Sequence, residues 1–214
     1  MEKSIEQEVE IALTAAELEN KLKSKKSYFI IKRCIDFSAA LVLLILLSPL
    51  WLLISIIIKL ESNGPALFKQ TRSGKGGKEF TIYKFRTMSV GSPVRTSSDF
   101  EDCRPHITTV GNILRKTSLD EIPQLLNVIK GDMSLIGPRP VIPMEQDLLL
   151  LRKENGSSLL LPGLTGWAQV NGRTKIDNIK KASYDAEYFE KVSLLFDFKI
   201  LIETLKLLLR GGEV

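Results

Sequence analysis

Two adjacent carboxylates, Asp120 and Glu121, lie in the densest group of reactive side chains in this 214-residue chain. Ser118 precedes them with the spacing of a helix N-cap, and Glu121 falls where the glutamate of a capping box would lie. Gly131 follows a leucine-rich run and predicts the end of that helix. Acids are favoured in a first helical turn on these grounds alone, so the pair by itself predicts only a helix start.

Arginines on either side of the acids change this interpretation. Arg115 lies five residues before Asp120, and Arg139 follows within the sequence GPRP, after a further acid, Asp132. Arginine binds phosphate bidentately, and carboxylates bind Mg²⁺. The group therefore has the outline of a phosphoryl-transfer site. Beside a cation and a helix N-terminus, we expect the pKa of Asp120 to be low.

An apolar run from Ile35 to Lys59 is a candidate membrane segment, and its course decides where the acids lie relative to the membrane. Its length suits a helix that crosses a bilayer, but Ser48 and Pro49 interrupt it near the middle. A serine hydroxyl can bond the carbonyl that a proline leaves unpaired in lipid. Both flanks of the run are basic, so the charges leave open a single span or a helix that turns back at Ser48 and Pro49.

The rest of the chain predicts a small mixed domain. ALFKQTR and KEFTIYKFRTM read as two strands of a hairpin around the glycine-rich SGKGGK. The C-terminal LLFDFKILIETLKLLLRGG carries its few polar residues on one helical face: Lys199, Glu203, Lys206 and Arg210. This narrow stripe favours a helix lying in the membrane interface over a core helix.

We therefore expect an α+β fold that is mainly helical, in three parts. These are a polar helical lead-in over 1–27, a membrane helix over 28–60, and a catalytic domain over 61–214 with its amphipathic C-terminal helix. The formal net charge of +5 suits anionic lipids or phosphate-bearing substrates, and charge alone does not exclude nucleic acid.

Three segments carry a resemblance to a known family: QTRSGKGGKEFTIYKFRTM, LRKTSLDEIPQLLNVIKGDMSLIGPRP and LPGLTGWAQVNGR. They resemble the monotopic phosphoglycosyl transferases, the bacterial sugar transferases of glycan assembly. The resemblance extends from about Tyr28 to Arg210. It implies transfer of a phospho-sugar from a nucleotide sugar, usually a UDP-sugar, to undecaprenyl phosphate, with release of UMP.

The resemblance also implies roles for individual residues. Asp120 matches the family's nucleophile, which forms a covalent phosphosugar intermediate, and Asp120 and Glu121 match its Mg²⁺ site. Glu121 would also help to deprotonate the lipid phosphate. The positions matched to phosphate or substrate binding are Arg115, Arg139, Lys84, Arg86, Arg173 and Gln169.

Ser48 and Pro49 match the family's helix break, which favours a re-entrant helix over a span. The implied location is the bacterial cytoplasmic membrane, with the active site facing the cytoplasm and with no nucleic-acid partner. A homo-oligomer is left open. The family commonly carries an aromatic residue near EKVSLLFD, where this chain has Val192, Leu194 and Leu195. The competing hypothesis is a non-catalytic, membrane-anchored protein that binds anionic lipid or a partner.

Overall fold

A computed structural model describes residues 16–92, 106–172 and 176–209 of the chain. The described part is mainly helical and carries two small sheets, which confirms the mainly helical α+β class. A helical segment at residues 16–23 comes first. The helices that follow are α1 (Lys26–Leu46), α2 (Ser48–Glu61), α3 (Thr109–Lys116), α4 (Leu125–Lys130), α5 (Gln146–Glu154), α6 (Trp167–Val170), α7 (Asn178–Lys191) and α8 (Leu194–Leu209). The strands are β1 (Leu67–Ser73), β2 (Glu79–Phe85), β3 (Ser134–Ile136) and β4 (Gly163–Thr165).

The apolar run forms the helix pair α1 and α2, which bend by 60° at Leu47. Pro49 lies in the first turn of α2, where its missing N–H costs nothing. The Ser48 hydroxyl donates to the Ile45 carbonyl at 2.7 Å, as its position beside proline predicted. In the described residues no helix alone has the length and hydropathy to cross a membrane, whereas this bent pair has both together.

Polar side chains on one side of α1 attach the helix pair to the rest of the protein. Asp36, which is 4 % exposed, accepts hydrogen bonds from the Ser134 hydroxyl at 2.7 Å and the Leu135 N–H at 3.2 Å. Arg33 donates to the carbonyls of Val128 and Ile129 at the end of α4. The other side of the pair is apolar and exposed, for example at Ile30, Ile45, Leu46, Leu52, Leu53 and Leu60.

A buried carboxylate, Asp197, joins α1 to α7 and α8. It accepts from the Lys32 ammonium at 2.8 Å, from the Tyr28 hydroxyl at 2.8 Å and from the Tyr188 hydroxyl at 2.7 Å. Three donors on one carboxylate satisfy most of its hydrogen-bonding capacity, which is the condition for burying a charge. The contact therefore fixes the first two turns of α1 on the domain that follows it.

β1 and β2 form the predicted antiparallel hairpin, with Arg72 opposite Phe80 and Phe68 opposite Lys84. Its turn contains Gly76 and Gly77, both with positive φ, a conformation in which glycine is not strained. Since directly opposed residues share a face, Gln70, Arg72, Ile82 and Lys84 all lie on one side of the hairpin.

β3 and β4 pair in parallel, an arrangement that the sequence analysis did not predict. Their backbones approach so closely that a Cβ at Gly163 would lie 2.1 Å from the Gly137 nitrogen. Only glycine fits there, and this brings the loop after β3 against the chain before β4.

Asp197→Asn tests the attachment of α1. The amide keeps the shape of the side chain but removes the negative charge to which the buried Lys32 ammonium donates its hydrogen bond, so we expect a loss of about 3 to 5 kcal/mol of unfolding free energy. Thermal and urea unfolding of the purified protein in detergent measure this loss. Glu203→Gln is the matched control on the same helix, because its ion pair with Lys206 is exposed and should change stability by less than about 0.5 kcal/mol. Equal effects of the two variants would contradict the assignment.

Candidate active site

Asp120 and Glu121 lie in a 3-10 turn, Leu119–Gln124, and not in the first turn of an α-helix. The capping-box prediction is wrong: Ser118 has φ 56° and makes no side-chain cap, and the α-helix begins only at Leu125. Pro123 explains the difference, because it has no N–H to donate to the Leu119 carbonyl and close an α-helical turn. The predicted helix end at Gly131 is confirmed, with φ 92°.

Two cations contact the same oxygen of Glu121. Lys84 donates to Oε1 at 2.6 Å and Arg139 donates to it at 3.1 Å. Lys84 also lies 3.9 Å from Oδ2 of Asp120. The site thus combines two adjacent acids with two cations from separate parts of the chain, Lys84 on β2 and Arg139 after β3.

Burial raises the pKa of Asp120, which is 8 % exposed, contrary to the low pKa that the sequence predicted. The nearby charge of Lys84 lowers this pKa, Glu121 raises it, and Arg115 and Arg139 lower it. The expectation failed for two physical reasons. The carboxylate is more desolvated than a first-turn acid would be, and no α-helix dipole begins at this turn.

A buried ion pair positions Arg139. The guanidinium of Arg152 donates to Asp185 at 2.8 Å through Nε and to the Arg139 carbonyl at 2.9 Å through Nη1. Burial raises the pKa of Asp185, and the adjacent Arg152 lowers it. Arg152 therefore holds α5 and α7 together and fixes the main chain from which Arg139 extends.

Arg115 and Arg86, two further predicted phosphate-binding residues, have different surroundings. Arg115 donates to the Thr87 hydroxyl at 2.9 Å and acts on Asp120 through its charge. Arg86 is buried and donates to the carbonyls of Ser62 and Asn63 at 2.7 Å each, so it caps the end of α2 and does not join the acids.

Gln169 is also buried, and its side-chain amide donates to the carbonyl of Leu164 at 3.1 Å. Leu164 lines the pocket beside the acids, so Gln169 supports the wall of that pocket. Arg173 lies outside the described residues, and its predicted role stays a prediction.

An open pocket lies beside Glu121, the neighbour of Asp120 in the chain. Its wall is formed by Arg72, Ile82, Lys84, Glu121, Gln124, Arg139, Pro140, Gly163 and Leu164. Sequence reasoning missed Arg72 and Gln124. The hairpin offered a signal for Arg72. Phe68 pairs with Lys84, and Arg72 lies four positions from Phe68 in the same strand, so alternation places Arg72 on the face of Lys84. No comparable signal identifies Gln124 within its 3-10 turn.

Asn127, which is fully buried, was missed as well. Its side chain accepts from the Tyr83 N–H at 3.1 Å and donates to the Thr81 carbonyl at 2.7 Å. These are the backbone groups that the outer edge of β2 leaves unpaired. Asn127 therefore fixes the hairpin that carries Lys84 against α4, which directly follows the turn that carries the acids.

The acids form a suitable donor set for Mg²⁺, which prefers one or two carboxylates completed by water and substrate phosphate. Asp120 and Glu121 supply two carboxylates near the Lys84 ammonium, and Glu121 lines the pocket. In the described part of the chain no group of three or more acidic, histidine or cysteine side chains is placed to hold a metal alone. The residues thus fit a Mg²⁺ ion whose remaining ligands are water or a bound molecule.

The chain is similar to known bacterial proteins over most of its length. A family model described as "Bacterial sugar transferase" matches residues 27–211. The chain is 41 % identical over 182 residues to the UDP-glucose:undecaprenyl-phosphate glucose-1-phosphate transferase of Escherichia coli (strain K12), covering 82 % of this chain and 39 % of the relative. It is 42 % identical over 177 residues to the uncharacterized sugar transferase EpsL of Bacillus subtilis (strain 168), covering 83 % and 86 %.

A further relative is the UDP-N-acetylgalactosamine-undecaprenyl-phosphate N-acetylgalactosaminephosphotransferase of Aeromonas hydrophila. It is 39 % identical over 192 residues, which cover 86 % of this chain and 45 % of the relative. The chain thus spans less than half the length of two of these three relatives. It spans most of the length of the Bacillus protein.

Asn127→Ala tests how the hairpin is held against the acids. Removing the amide leaves the Tyr83 N–H and the Thr81 carbonyl without partners, so we expect a loss of roughly 2 to 5 kcal/mol of unfolding free energy. Urea unfolding followed by circular dichroism provides the measurement. Asn112→Ala, at an exposed position of α3, serves as control and should stay within about 0.5 kcal/mol of the parent protein. An Asn127→Ala protein as stable as the control would remove this role.

Proposed function

The chain belongs to the bacterial sugar transferase family, and from this membership we propose that it transfers a phospho-sugar from a UDP-sugar to undecaprenyl phosphate. The products are UMP and a polyprenyl diphosphate sugar, in the first membrane step of glycan assembly. The observation that carries the proposal is the pair Asp120 and Glu121, with Glu121 lining an open pocket and bound by both Lys84 and Arg139. A protein that only bound lipid would have no use for desolvated acids at a polar pocket.

The proposed reaction has two steps, each an exchange at one phosphorus atom. First, a carboxylate oxygen of Asp120 attacks the phosphorus that carries the sugar, and the bond from this phosphorus to the oxygen of UMP breaks. The electron pair of that bond leaves with UMP. Next, an oxygen of the lipid phosphate attacks the same phosphorus, the bond to Asp120 breaks, and the carboxylate is restored.

The residues around Asp120 suit these steps. Burial makes the carboxylate a poorly solvated anion, and the charges of Lys84, Arg115 and Arg139 act on it. Both substrates are anionic, so positive charge already in place offsets their repulsion from the acids. Glu121 binds both Lys84 and Arg139, and in this proposal it also takes a proton from the lipid phosphate. Mg²⁺, held by Asp120 and Glu121, would supply further positive charge at the phosphates.

We also propose that α1 and α2 form a re-entrant hairpin in the bacterial cytoplasmic membrane, with the active site on the cytoplasmic side. The exposed face of the bent pair is apolar, and polar contacts hold its opposite face on the domain. α8 supports the same orientation. Its inward residues are Asp197, Ile200 and Thr204, while Leu195, Phe198 and Leu209 are exposed, as expected for a helix that lies in the interface.

Release of UMP tests the reaction. We expect the protein, mixed with undecaprenyl phosphate and Mg²⁺, to release UMP from at least one member of a UDP-sugar panel. The panel should include UDP-glucose and UDP-N-acetylgalactosamine, for which two relatives are named. Asp120→Asn should lower turnover by at least about a thousandfold, because an amide does not attack phosphorus. Asp147→Asn, at an exposed acid of α5, is the matched control and should keep full activity.

Three results would contradict parts of this proposal. UDP as the product would indicate an ordinary glycosyl transferase. Turnover retained in Asp120→Asn, with deamidation ruled out by intact mass, would remove the nucleophile assignment. No nucleotide release across the whole panel would favour the non-catalytic, lipid-binding alternative.

Sided labelling tests the re-entrant helix. Single cysteines are placed at Lys23 and, in a second variant, at Lys191, with Cys34 and Cys103 changed to serine. Both positions are exposed, and they lie before and after the helix pair. A membrane-impermeant maleimide should label both in inverted membrane vesicles and neither in right-side-out vesicles. Labelling of the two positions from opposite sides would show that the pair crosses the membrane.

A further inference from the structure

Two buried hydrogen-bond donors on the wall of the pocket have no acceptor in the described residues. One is Nε of Arg72 and the other is the side-chain nitrogen of Gln124, a residue only 2 % exposed. Both residues line the pocket beside the acids. An unsatisfied buried donor is costly and uncommon in native proteins, so two on one wall call for an explanation. Since both are donors, they suit an oxygen acceptor from a bound molecule.

Other contacts keep Arg72 in this position. Its Nη2 donates to the side-chain oxygen of Gln70 at 2.6 Å, on the same face of the hairpin. Burial and, after it, the positive charge of Arg139 lower the pKa of Arg72 to about 10, while the charges of Glu145 and Glu121 oppose this shift. Two guanidinium groups thus share one pocket with Lys84, and this concentration of positive charge suits an anion.

Arg72 lies away from the nucleophile. It is four residues along the hairpin from Phe68, the strand partner of Lys84, which corresponds to about 13 Å of extended chain. The charges that act on Asp120 are Lys84, Glu121, Arg115 and Arg139, whereas those that act on Arg72 are Arg139, Glu145 and Glu121. Arg139 and Glu121 are common to both sets, and both line the pocket together with Lys84 and Arg72, so the pocket connects the surroundings of Asp120 with those of Arg72.

We propose that Arg72 and Gln124 bind the phosphate of the nucleoside monophosphate part of the donor substrate, the part that leaves. This inference rests on the proposed function and assigns its leaving group to one end of the pocket. The phosphorus that reacts with Asp120 must lie beside Asp120, Lys84 and Glu121. The second phosphate of a diphosphate then extends toward Arg139 and Arg72.

The chemistry of the leaving group gives these donors a purpose. When the bond between the sugar-bearing phosphorus and the oxygen of UMP breaks, that oxygen takes the electron pair and the nucleotide phosphate gains one negative charge. A fixed guanidinium and an amide N–H stabilise this charge as it develops. Arg72 and Gln124 are therefore substrate-binding residues whose partner becomes more negative during the first step.

Binding of UMP and uridine to the full-length protein in lipid nanodiscs tests the inference without turnover. We expect the parent protein to bind UMP at least about tenfold more tightly than uridine, since only UMP carries the phosphate. Arg72→Met should weaken UMP binding by about 10- to 100-fold and leave uridine binding unchanged. Lys69→Met is the matched control, because Lys69 lies on the same strand with its side chain over Tyr83 on the opposite face. It should bind UMP as the parent does.

Gln124→Met separates a binding role from a structural one. Methionine has nearly the same volume and removes the unsatisfied donor, so the melting temperature should stay the same or rise by up to about 4 °C. UMP binding should nevertheless weaken by about tenfold. If Arg72→Met does not fold, Arg72→Lys and Gln124→Met carry the test, since lysine keeps the charge without the fork of donors.

The outcomes are distinct. UMP binding that is unaffected in both Arg72→Met and Gln124→Met overturns the inference, as does a parent protein that does not distinguish UMP from uridine. Weaker binding of a short prenyl phosphate with unchanged binding of UMP also overturns it, because the donors would then serve the lipid phosphate. Arg72-dependent UMP binding in a protein that releases no UMP from any UDP-sugar would leave the nucleotide site standing while the proposed reaction fails.

Discussion

The constraint on which the structure depends is that a helix pair with an apolar outer face must be held on its protein by polar contacts. Residues of α1 that face inward donate to or accept from the domain at Asp197, at Ser134 and at the end of α4. A helix embedded in lipid gains little from burying more apolar surface against protein, since lipid is equally apolar. Ala40, Ile54 and Ile58 of the pair also pack in the hydrophobic core, and the buried ionic and hydrogen-bonded contacts give this attachment its specificity, because they are satisfied in only one arrangement.

The acid site obeys a related constraint. Two adjacent desolvated carboxylates repel one another, so Lys84 and Arg139 are both needed close to Glu121. These cations come from a hairpin and from a loop that are far apart in sequence. Asn127 fixes the first and Arg152 fixes the second, and both act through backbone contacts. In the proposed reaction, a phosphate that enters the pocket meets cations that are already in place. Lys84 and Arg139 then exchange contacts with Glu121 for contacts with the phosphate, and no mobile side chains have to be ordered.

Local patterns in the sequence predicted the hairpin, the helix end at Gly131 and the break at Ser48 and Pro49, because each depends on a few adjacent residues. The prediction failed where contacts are long-range. Arg86 follows the end of β2, and its side chain turns to the carbonyls at the end of α2, a destination that no spacing encodes. The pairing of β3 with β4 depends on two glycines 26 positions apart, Gly137 and Gly163. The roles of Arg72 and Gln124 become visible only when the pocket is assembled.

The contact made by Arg86 connects the helix pair α1 and α2 to the site at a second point. α1 is held by Asp197 and Ser134, while the end of α2 is held by Arg86 and by Glu61, which accepts from the Val110 N–H at 3.0 Å. Arg86 directly follows the strand of Lys84, and Val110 lies in the first turn of the helix of Arg115. The start of the bent pair is thus fixed to α7 and α8, and its end is fixed to elements that carry or adjoin site residues. The bend therefore sets the distance between the acids and the apolar surface of the pair, and a straight helix of the same composition would separate these attachments.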